Sequence, residues 1–154
     1  MEKKKPIKRH KALQPLSRQH HFGLLFSWKI RKGFSKNIET NRLQEYAKWF
    51  YEQEIKPHFR DEEEYLFPIM APGNELVERA LKEHRRIKRL FTNTDDPEKS
   101  LHQLEEELDA HIRFEERVLF NEIQKVATAA QLAKIEEIHS ELGKHPEYHD
   151  PFWE

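Results

Sequence analysis

The sequence predicts an all-α protein, an antiparallel up-down four-helix bundle followed by a short fifth helix near the C-terminus. Charged residues make up 36% of the 154 residues and only 4 are glycine, a composition typical of helices with solvated outer faces. Apolar residues recur at helical spacing in four long segments, and capping or turn residues separate those segments. Short connections between long helices favour antiparallel neighbours.

The first helix is expected from about Leu16 to Ser35. Apolar residues recur along one side of this segment, and Gly33 and Asn37 follow as stop signals. The apolar side is expected to consist of Leu16, Leu24, Leu25, Trp28 and Ile30.

Thr40 or Asn41 can cap the second helix, which is expected to continue to about Met70, before a turn rich in proline and glycine. Pro57 lies inside this helical pattern. Because proline has no amide hydrogen and its ring clashes with the preceding turn, a kink or a bulge is expected there.

The third and fourth helices have well-marked starts. Asn74 can cap a third helix that runs to about Phe91. Asp96 can cap a fourth helix with Pro97 at its first position, and this helix continues to about Val126.

Thr128 and Gln131 have the spacing of a capping box and open the short fifth helix, expected to end near Gly143. The last aromatic residues, Phe152 and Trp153, are expected to cover an end of the bundle.

The predicted domain organisation is a flexible basic tail at residues 1–14, the bundle at residues 15–127, and a short helix with a C-terminal tail at residues 128–154.

A ten-residue motif occurs twice, and it is the strongest functional feature of the sequence. Residues 58–67 and 111–120 both read H-x-x-x-E-E-x-x-L-F. On a helix, residues four apart share a face, so each copy presents an imidazole and a carboxylate together. The helices before the two copies also match, since Gln19-His20 aligns with Glu83-His84. The inward candidates are His20, His58, Glu62, His84, His111 and Glu115.

Four imidazoles and two carboxylates in one core favour bound metal. Each buried polar group without a partner costs on the order of 1–3 kcal/mol, and buried carboxylates cost more. Imidazole suits iron, zinc, copper or nickel, and a mixed nitrogen and oxygen set with bridging carboxylates suits a pair of iron or manganese ions. The six residues are therefore candidate metal ligands.

At individual positions, interpretations that involve no metal compete with metal binding. A single H-x-x-x-E pair is usually a surface contact, and a lone histidine on an apolar face is usually a core residue. His21 adjoins His20 and remains an alternative to it. The carboxylates that lie off the motif stripe, Glu63, Glu64 and Glu116, are expected in solvent or as hydrogen-bond partners of the ligands. The remaining histidines, His10, His102, His139, His145 and His149, are expected to be solvated.

The chain resembles hemerythrin-like proteins with the HHE cation-binding domain. The resemblance spans about Leu16 to Val126 and rests on His20, His84 and the two H-x-x-x-E-E motifs. It implies a four-helix bundle that encloses a non-haem di-iron centre bridged by carboxylates and an oxo or hydroxo group. Hemerythrins proper have a second histidine where this chain has Lys88, and they use the carboxylate that corresponds to Glu116. The internal repeat points instead to Glu115, with Glu116 as the alternative.

The family resemblance implies binding or sensing of oxygen or iron. Two alternatives stay open: a di-iron enzyme acting on peroxide, nitric oxide or dioxygen, and a bundle with a structural zinc site. Whether the chain is an enzyme is left undecided. Two iron ions are the expected cofactors, with zinc or manganese possible, and the expected partner is dioxygen, another small diatomic molecule or peroxide.

Composition excludes several other classes. The formal net charge of −1 offers no electrostatic basis for binding nucleic acid, and no apolar stretch reaches the length of a membrane span. The chain has no cysteine, which excludes disulfides and thiolate metal sites. The start lacks the apolar run of a secretory signal, so a cytoplasmic location is expected.

Overall fold

The computed structural model describes residues 8–139 and 146–154, and these residues form helices and turns without any strand. The prediction of an all-helical fold is confirmed for this part of the chain. The α-helices of the described residues are α1 Gln14–Ser35, α2 Thr40–Phe50, α3 Lys56–Asp61, α4 Glu75–Thr92, α5 Pro97–Phe114, α6 Phe120–Val126 and α7 Ala129–Ile138.

Several of these helices are continuous with one another. A π-helical turn, Tyr51–Ile55, joins α2 to α3, and a second one, Glu62–Leu66, extends α3. A third π-helical turn, Glu115–Leu119, joins α5 to α6. The chain therefore forms a second long helix over residues 40–66 and a fourth over residues 97–126, while α1 and α4 are the first and third. Short 3-10 helices lie at Lys11–Leu13 and Phe67–Ile69.

The distortion expected at Pro57 is present. The first π-helical turn ends at Ile55, and the amide of Lys56 donates to the carbonyl of Tyr51, five residues back. The wider turn accommodates the proline ring at the start of α3, so the second long helix continues instead of breaking.

The predicted caps of α4, α5 and α7 are confirmed. The predicted cap of α2 is wrong, because its N-cap is Glu39, without a side-chain hydrogen bond, and Thr40 is already helical. The Asn74 side chain accepts hydrogen bonds from the amides of Leu76 and Val77, at 2.9 and 3.2 Å. Asp96 accepts from the amide of Lys99 at 3.2 Å. At α7, Thr128 and Gln131 form the expected capping box. Because these side chains satisfy amides that no helical carbonyl can reach, they fix where each helix begins.

Helix α1 differs from expectation in the side that it buries. Trp28 is 46% exposed, whereas Gly23 and Ser27 face the interior. A Cβ atom at Gly23 would lie 2.5 Å from Cδ1 of Ile112 in α5, so glycine permits a close approach of these two helices. Small residues, which carry no hydrophobic signal, therefore decide the rotation of α1.

The core consists of two apolar clusters. Cluster A surrounds Phe26, Phe50 and Leu104, and cluster B surrounds Leu16, Phe67 and Leu119. The order in which each long helix crosses the clusters alternates. The first and third run from cluster B to cluster A, while the second and fourth run from A to B.

The first and the last described segments, residues 8–13 and 146–154, pack on the bundle. Phe152 is buried in cluster A and Trp153 packs against it, as expected. The basic tail differs from expectation within its described part, because Ala12 and Leu13 are buried and Arg9 donates hydrogen bonds to Asn121 and Gln124 in α6. Residues 1–7 of the predicted tail, and the expected end of the fifth helix at Gly143, lie outside the described residues; α7 ends at Ile138.

His139 corrects one sequence-based expectation. It was expected in solvent, but it is only 5% exposed and connects α7 to α3. Its Nδ1 lies 2.8 Å from the carbonyl oxygen of Ile135, and its Nε2 lies 3.3 Å from the carboxylate of Asp61. Both partners can only accept hydrogen bonds, so the arrangement favours the imidazolium, which donates at both nitrogens. His145 lies outside the described residues.

Among the described residues, no helix combines the length and the apolar character that crossing a membrane would require.

The contact between His139 and Asp61 predicts a pH-dependent contribution to stability. The hydrogen bond to Asp61 raises the pKa of His139 above its ordinary value of 6.5. This contribution is therefore complete below pH 6.5 and is lost as the pH rises through the raised pKa. We expect His139→Gln to lower the free energy of unfolding of the metal-free protein by about 1 kcal/mol at acidic pH, with little effect well above neutrality. Urea unfolding across this pH range tests it, with exposed His149→Gln as control; a loss independent of pH would contradict the assignment.

Candidate metal centre

All six residues that the sequence suggested as ligands lie in one buried layer between the two apolar clusters. His20 comes from α1 and His84 from α4, the first and third long helices. The second and fourth long helices each supply a histidine and a glutamate four residues later, from the two motif copies. All six side chains are 5% exposed or less, and both glutamates are 0% exposed.

The ligand atoms form two overlapping groups, each within 4.8 Å. The carboxylates of Glu62 and Glu115 belong to both groups, so they lie between them. Glu62 oxygens lie 3.3 Å from Nε2 of His58 and 3.2 Å from Nε2 of His84. The groups are His20, His58, Glu62 and Glu115, and Glu62, His84, His111 and Glu115.

Distances to Glu115 complete the layer. Its Oε1 lies 3.9 Å from Nε2 of His20 and 3.7 Å from Nε2 of His84, and it contacts Nε2 of His111 directly. Donors about 2.1 Å from one first-row metal ion are roughly 3–3.5 Å apart when they are neighbours around it. The spacing of these atoms is therefore close to that of ligands around an ion.

Each histidine uses its other ring nitrogen, Nδ1, in a hydrogen bond to an outer oxygen. These bonds are His20 to Glu116 at 2.7 Å, His58 to Gln19 at 2.6 Å, His84 to Glu63 at 2.8 Å and His111 to Glu83 at 2.7 Å. Carboxylate and amide oxygens only accept, so the proton of each neutral imidazole lies on Nδ1. The lone pair of each Nε2 then faces the centre, which is the form that binds metal.

The centre thus contains lone pairs that face one another. Nε2 of all four histidines and both oxygens of Glu62 and Glu115 have no hydrogen-bond partner among the described residues. Leaving so many buried acceptors unsatisfied would cost several kcal/mol. A cation in each group would be attracted by every one of these atoms, so the residues present fit a bound metal.

The pKa values of the buried residues reflect both their burial and the contacts between their charged groups. Burial lowers the pKa of His58 well below its usual range, and the neighbouring His20 adds to this effect. Burial, together with the facing carboxylate of Glu115, raises the pKa of Glu62. Although burial opposes it, contact with Glu115 and Glu83 raises the pKa of His111 to about 9. The two buried carboxylates thus favour positive charge in the layer, which a bound cation would supply.

The residues that the sequence left as alternative ligands lie at different positions relative to the layer. His21 is exposed, whereas His20 points into the layer. Glu116 lies outside the layer on Nδ1 of His20, whereas Glu115 lies inside it. Glu64 and His102 are exposed, and the His102 ring stacks on Phe34.

Two of the outer partners could not be identified from the sequence. Glu63 and Glu116 were expected either in solvent or on the ligands, and both bond a histidine. Gln19 and Glu83 were seen only as neighbours of His20 and His84 in the repeat. The sequence signal that could have identified Gln19 and Glu83 as hydrogen-bond partners is their equivalent position in the internal repeat, because equivalent residues of a repeat have similar surroundings.

Two spaces adjoin the layer. A small cavity lined by His20, His58 and His111 has room for about one water-sized molecule. An open cleft of about 410 Å³ is lined by His84 together with Glu63, Arg60, Arg85 and Lys88. Phe59 lines both spaces and stacks on the His84 ring, with 3.7 Å between ring centroids.

Comparison with known proteins identifies one family. Residues 10–99, more than half of the chain, match the model of the family described as Hemerythrin HHE cation binding domain. The matched part includes His20, His58, Glu62 and His84, and it ends before the second copy of the motif. No curated protein and no solved structure matches the chain significantly.

Removing a histidine from either group should reduce the metal content of the protein. His58→Ala and His111→Ala each remove an Nε2 donor from a different group, so we expect each variant to retain about half of the metal bound by the wild type. His102→Ala, on the solvent side of the fourth long helix, is the matched control. Elemental analysis of protein purified in parallel gives the metal-to-chain ratio, and unchanged ratios in both histidine variants would show that these residues are not ligands.

Replacing Glu62 should separate stability from metal binding. Glu62→Met replaces a buried carboxylate that faces the carboxylate of Glu115 by an apolar side chain of similar length, so it removes the repulsion between two buried acidic groups. We therefore expect the metal-free variant to melt at a higher temperature than the metal-free wild type, and to lose the stabilisation that added metal gives the wild type. Thermal unfolding with chelator or with ferrous ion measures both effects; a variant that still gains stability from metal would contradict the role of Glu62.

Proposed function

The chain belongs to the hemerythrin HHE cation-binding domain family, and on that premise we propose that it is a non-haem di-iron protein that binds or senses oxygen or iron. The observation that carries the proposal is the pair of four-donor groups with two shared carboxylates. Two ions held by Glu62 and Glu115, which belong to both groups, and by two imidazoles each would satisfy every buried acceptor of the layer. The proposed ligands are His20, His58, Glu62, His84, His111 and Glu115.

The architecture proposed for this centre is the antiparallel up-down four-helix bundle. The alternating order in which the long helices cross clusters A and B supports opposite directions for successive helices. Short connections, such as residues 36–39 between α1 and α2, support it as well. In such a bundle each helix contributes ligands from one level, which is how the two motif copies come to face one another.

The donor set favours iron among the metals considered. Each group offers two nitrogen donors and two shared carboxylates without any thiolate, a donor set that suits iron. Bound iron would supply reversible redox chemistry and affinity for dioxygen. The residues of this chain would hold the ions, keep each imidazole in the required tautomer and limit access of water through the apolar clusters.

A di-iron enzyme is the second candidate, and the small cavity beside His20, His58 and His111 is compatible with both functions, because both need a small molecule to approach the layer. A space for one small molecule next to the layer would allow dioxygen, nitric oxide or peroxide to reach the ions. The binding protein and the enzyme differ in turnover, because only the enzyme consumes its small molecule continuously when a reductant is present.

Anaerobic titration of the metal-free protein with ferrous ion tests the proposal. We expect two irons per chain, and a visible absorption band that appears with oxygen and disappears when oxygen is removed. Steady consumption of peroxide or nitric oxide with a reductant would assign the enzyme instead. Failure to bind iron, or purification with zinc that iron cannot replace, would overturn the di-iron assignment.

A further inference from the structure

The two ion positions have matched ligands but different outer partners. Gln19 and Glu83 occupy equivalent places in the internal repeat. Gln19 accepts the Nδ1 hydrogen of His58 at 2.6 Å, whereas Glu83 accepts that of His111 at 2.7 Å. One imidazole is therefore supported by a neutral amide and its counterpart by a carboxylate.

The other two histidines show a second difference in the same direction. His20 is held by Glu116, whose charge is neutralised by Arg9 at 3.1 Å, and Arg9 also donates to the Glu116 backbone carbonyl. His84 is held by Glu63, which has no arginine or lysine within ion-pair distance among the described residues. The Glu116 carboxylate is thus paired with an arginine, whereas the Glu63 carboxylate is paired with no arginine or lysine among the described residues.

The charged groups around the two pairs of histidines also differ. Around His20 and His58, the outer groups are an amide and the carboxylate of Glu116, which is paired with Arg9. Around His84 and His111 they are two carboxylates, of which Glu83 is paired with Arg79 at 2.9 Å and Glu63 lies in the cleft that Arg60, Arg85 and Lys88 also line.

An outer carboxylate makes the imidazole that it bonds a stronger donor to metal, and removal of such partners commonly changes metal affinity 10–100-fold. We infer that the two ion positions are unequal: the His84/His111 position binds a divalent cation more tightly and fills first, and Gln19 is the positioning residue that keeps the His20/His58 position weaker. The inference rests on the proposed pair of ions and adds an order in which they bind.

Stepwise titration of the metal-free protein with Co²⁺, against a coloured competing chelator, measures the two dissociation constants. For the wild type we expect two steps that differ about 10–100-fold. Gln19→Glu should tighten the weaker step about tenfold or more and bring the two steps together. Glu83→Gln should weaken the tighter step by a similar factor.

Two controls separate this effect from general changes. Gln53→Glu makes the same substitution at an exposed position on the second long helix, and it should leave both steps unchanged. His58→Ala should retain the tight step, whereas His111→Ala should lose it. Thermal unfolding of each metal-free variant shows whether the fold is retained, and Glu83→Gln tests the inference independently should Gln19→Glu not fold.

The possible results distinguish failure of this inference from failure of the proposed function. Two steps of equal affinity in the wild type would overturn the inference while leaving the ion pair intact. Unequal steps that do not respond to Gln19→Glu or to Glu83→Gln would also overturn it, because the outer partners would not be the cause. Binding of fewer than two ions would overturn the proposed di-iron function itself.

Discussion

A layer of buried lone pairs is the constraint on which the rest of the structure depends. Four imidazole nitrogens and four carboxylate oxygens face one another in the middle of the bundle and have no hydrogen-bond partner in the part of the chain that the structure describes. Such a layer is unfavourable in isolation, because desolvated acceptors repel one another and have lost water. Clusters A and B on either side supply the hydrophobic stabilisation that offsets this cost, and positive charge at the centre turns the unfavourable contacts into attractive ones.

The outer hydrogen bonds give the layer its rigidity. Two of them join residues of the same half of the repeat, Gln19 with His58 and Glu83 with His111. The other two cross between the halves, from Glu116 to His20 and from Glu63 to His84. Because every histidine is fixed at Nδ1, its ring cannot turn away from the centre without breaking a bond. Position and tautomer of each ligand are thus set by the protein before any ion binds.

The sequence predicted the helices and the six residues that lie together in the buried layer, because both depend on local patterns. Caps at Asn74, Asp96 and Thr128 act within one turn, and the H-x-x-x-E spacing places two side chains on one face whatever lies opposite. The exposure of Trp28 and the burial of His139 could not be predicted, since they depend on which helices approach one another. The partner of each Nδ1 likewise depends on contacts between helices, although the repeat indicated which residues to consider.

The hydrogen bonds of Arg9 bear on where the functional unit of this chain begins. Basic segments that precede a bundle are commonly trimmed when a protein is prepared for crystallography. Here, a version shortened to residue 15 would lose the guanidinium that holds Glu116, and Glu116 in turn fixes the ring of His20. The smallest fragment that keeps the environment of every histidine in the layer therefore starts earlier than the first long helix does.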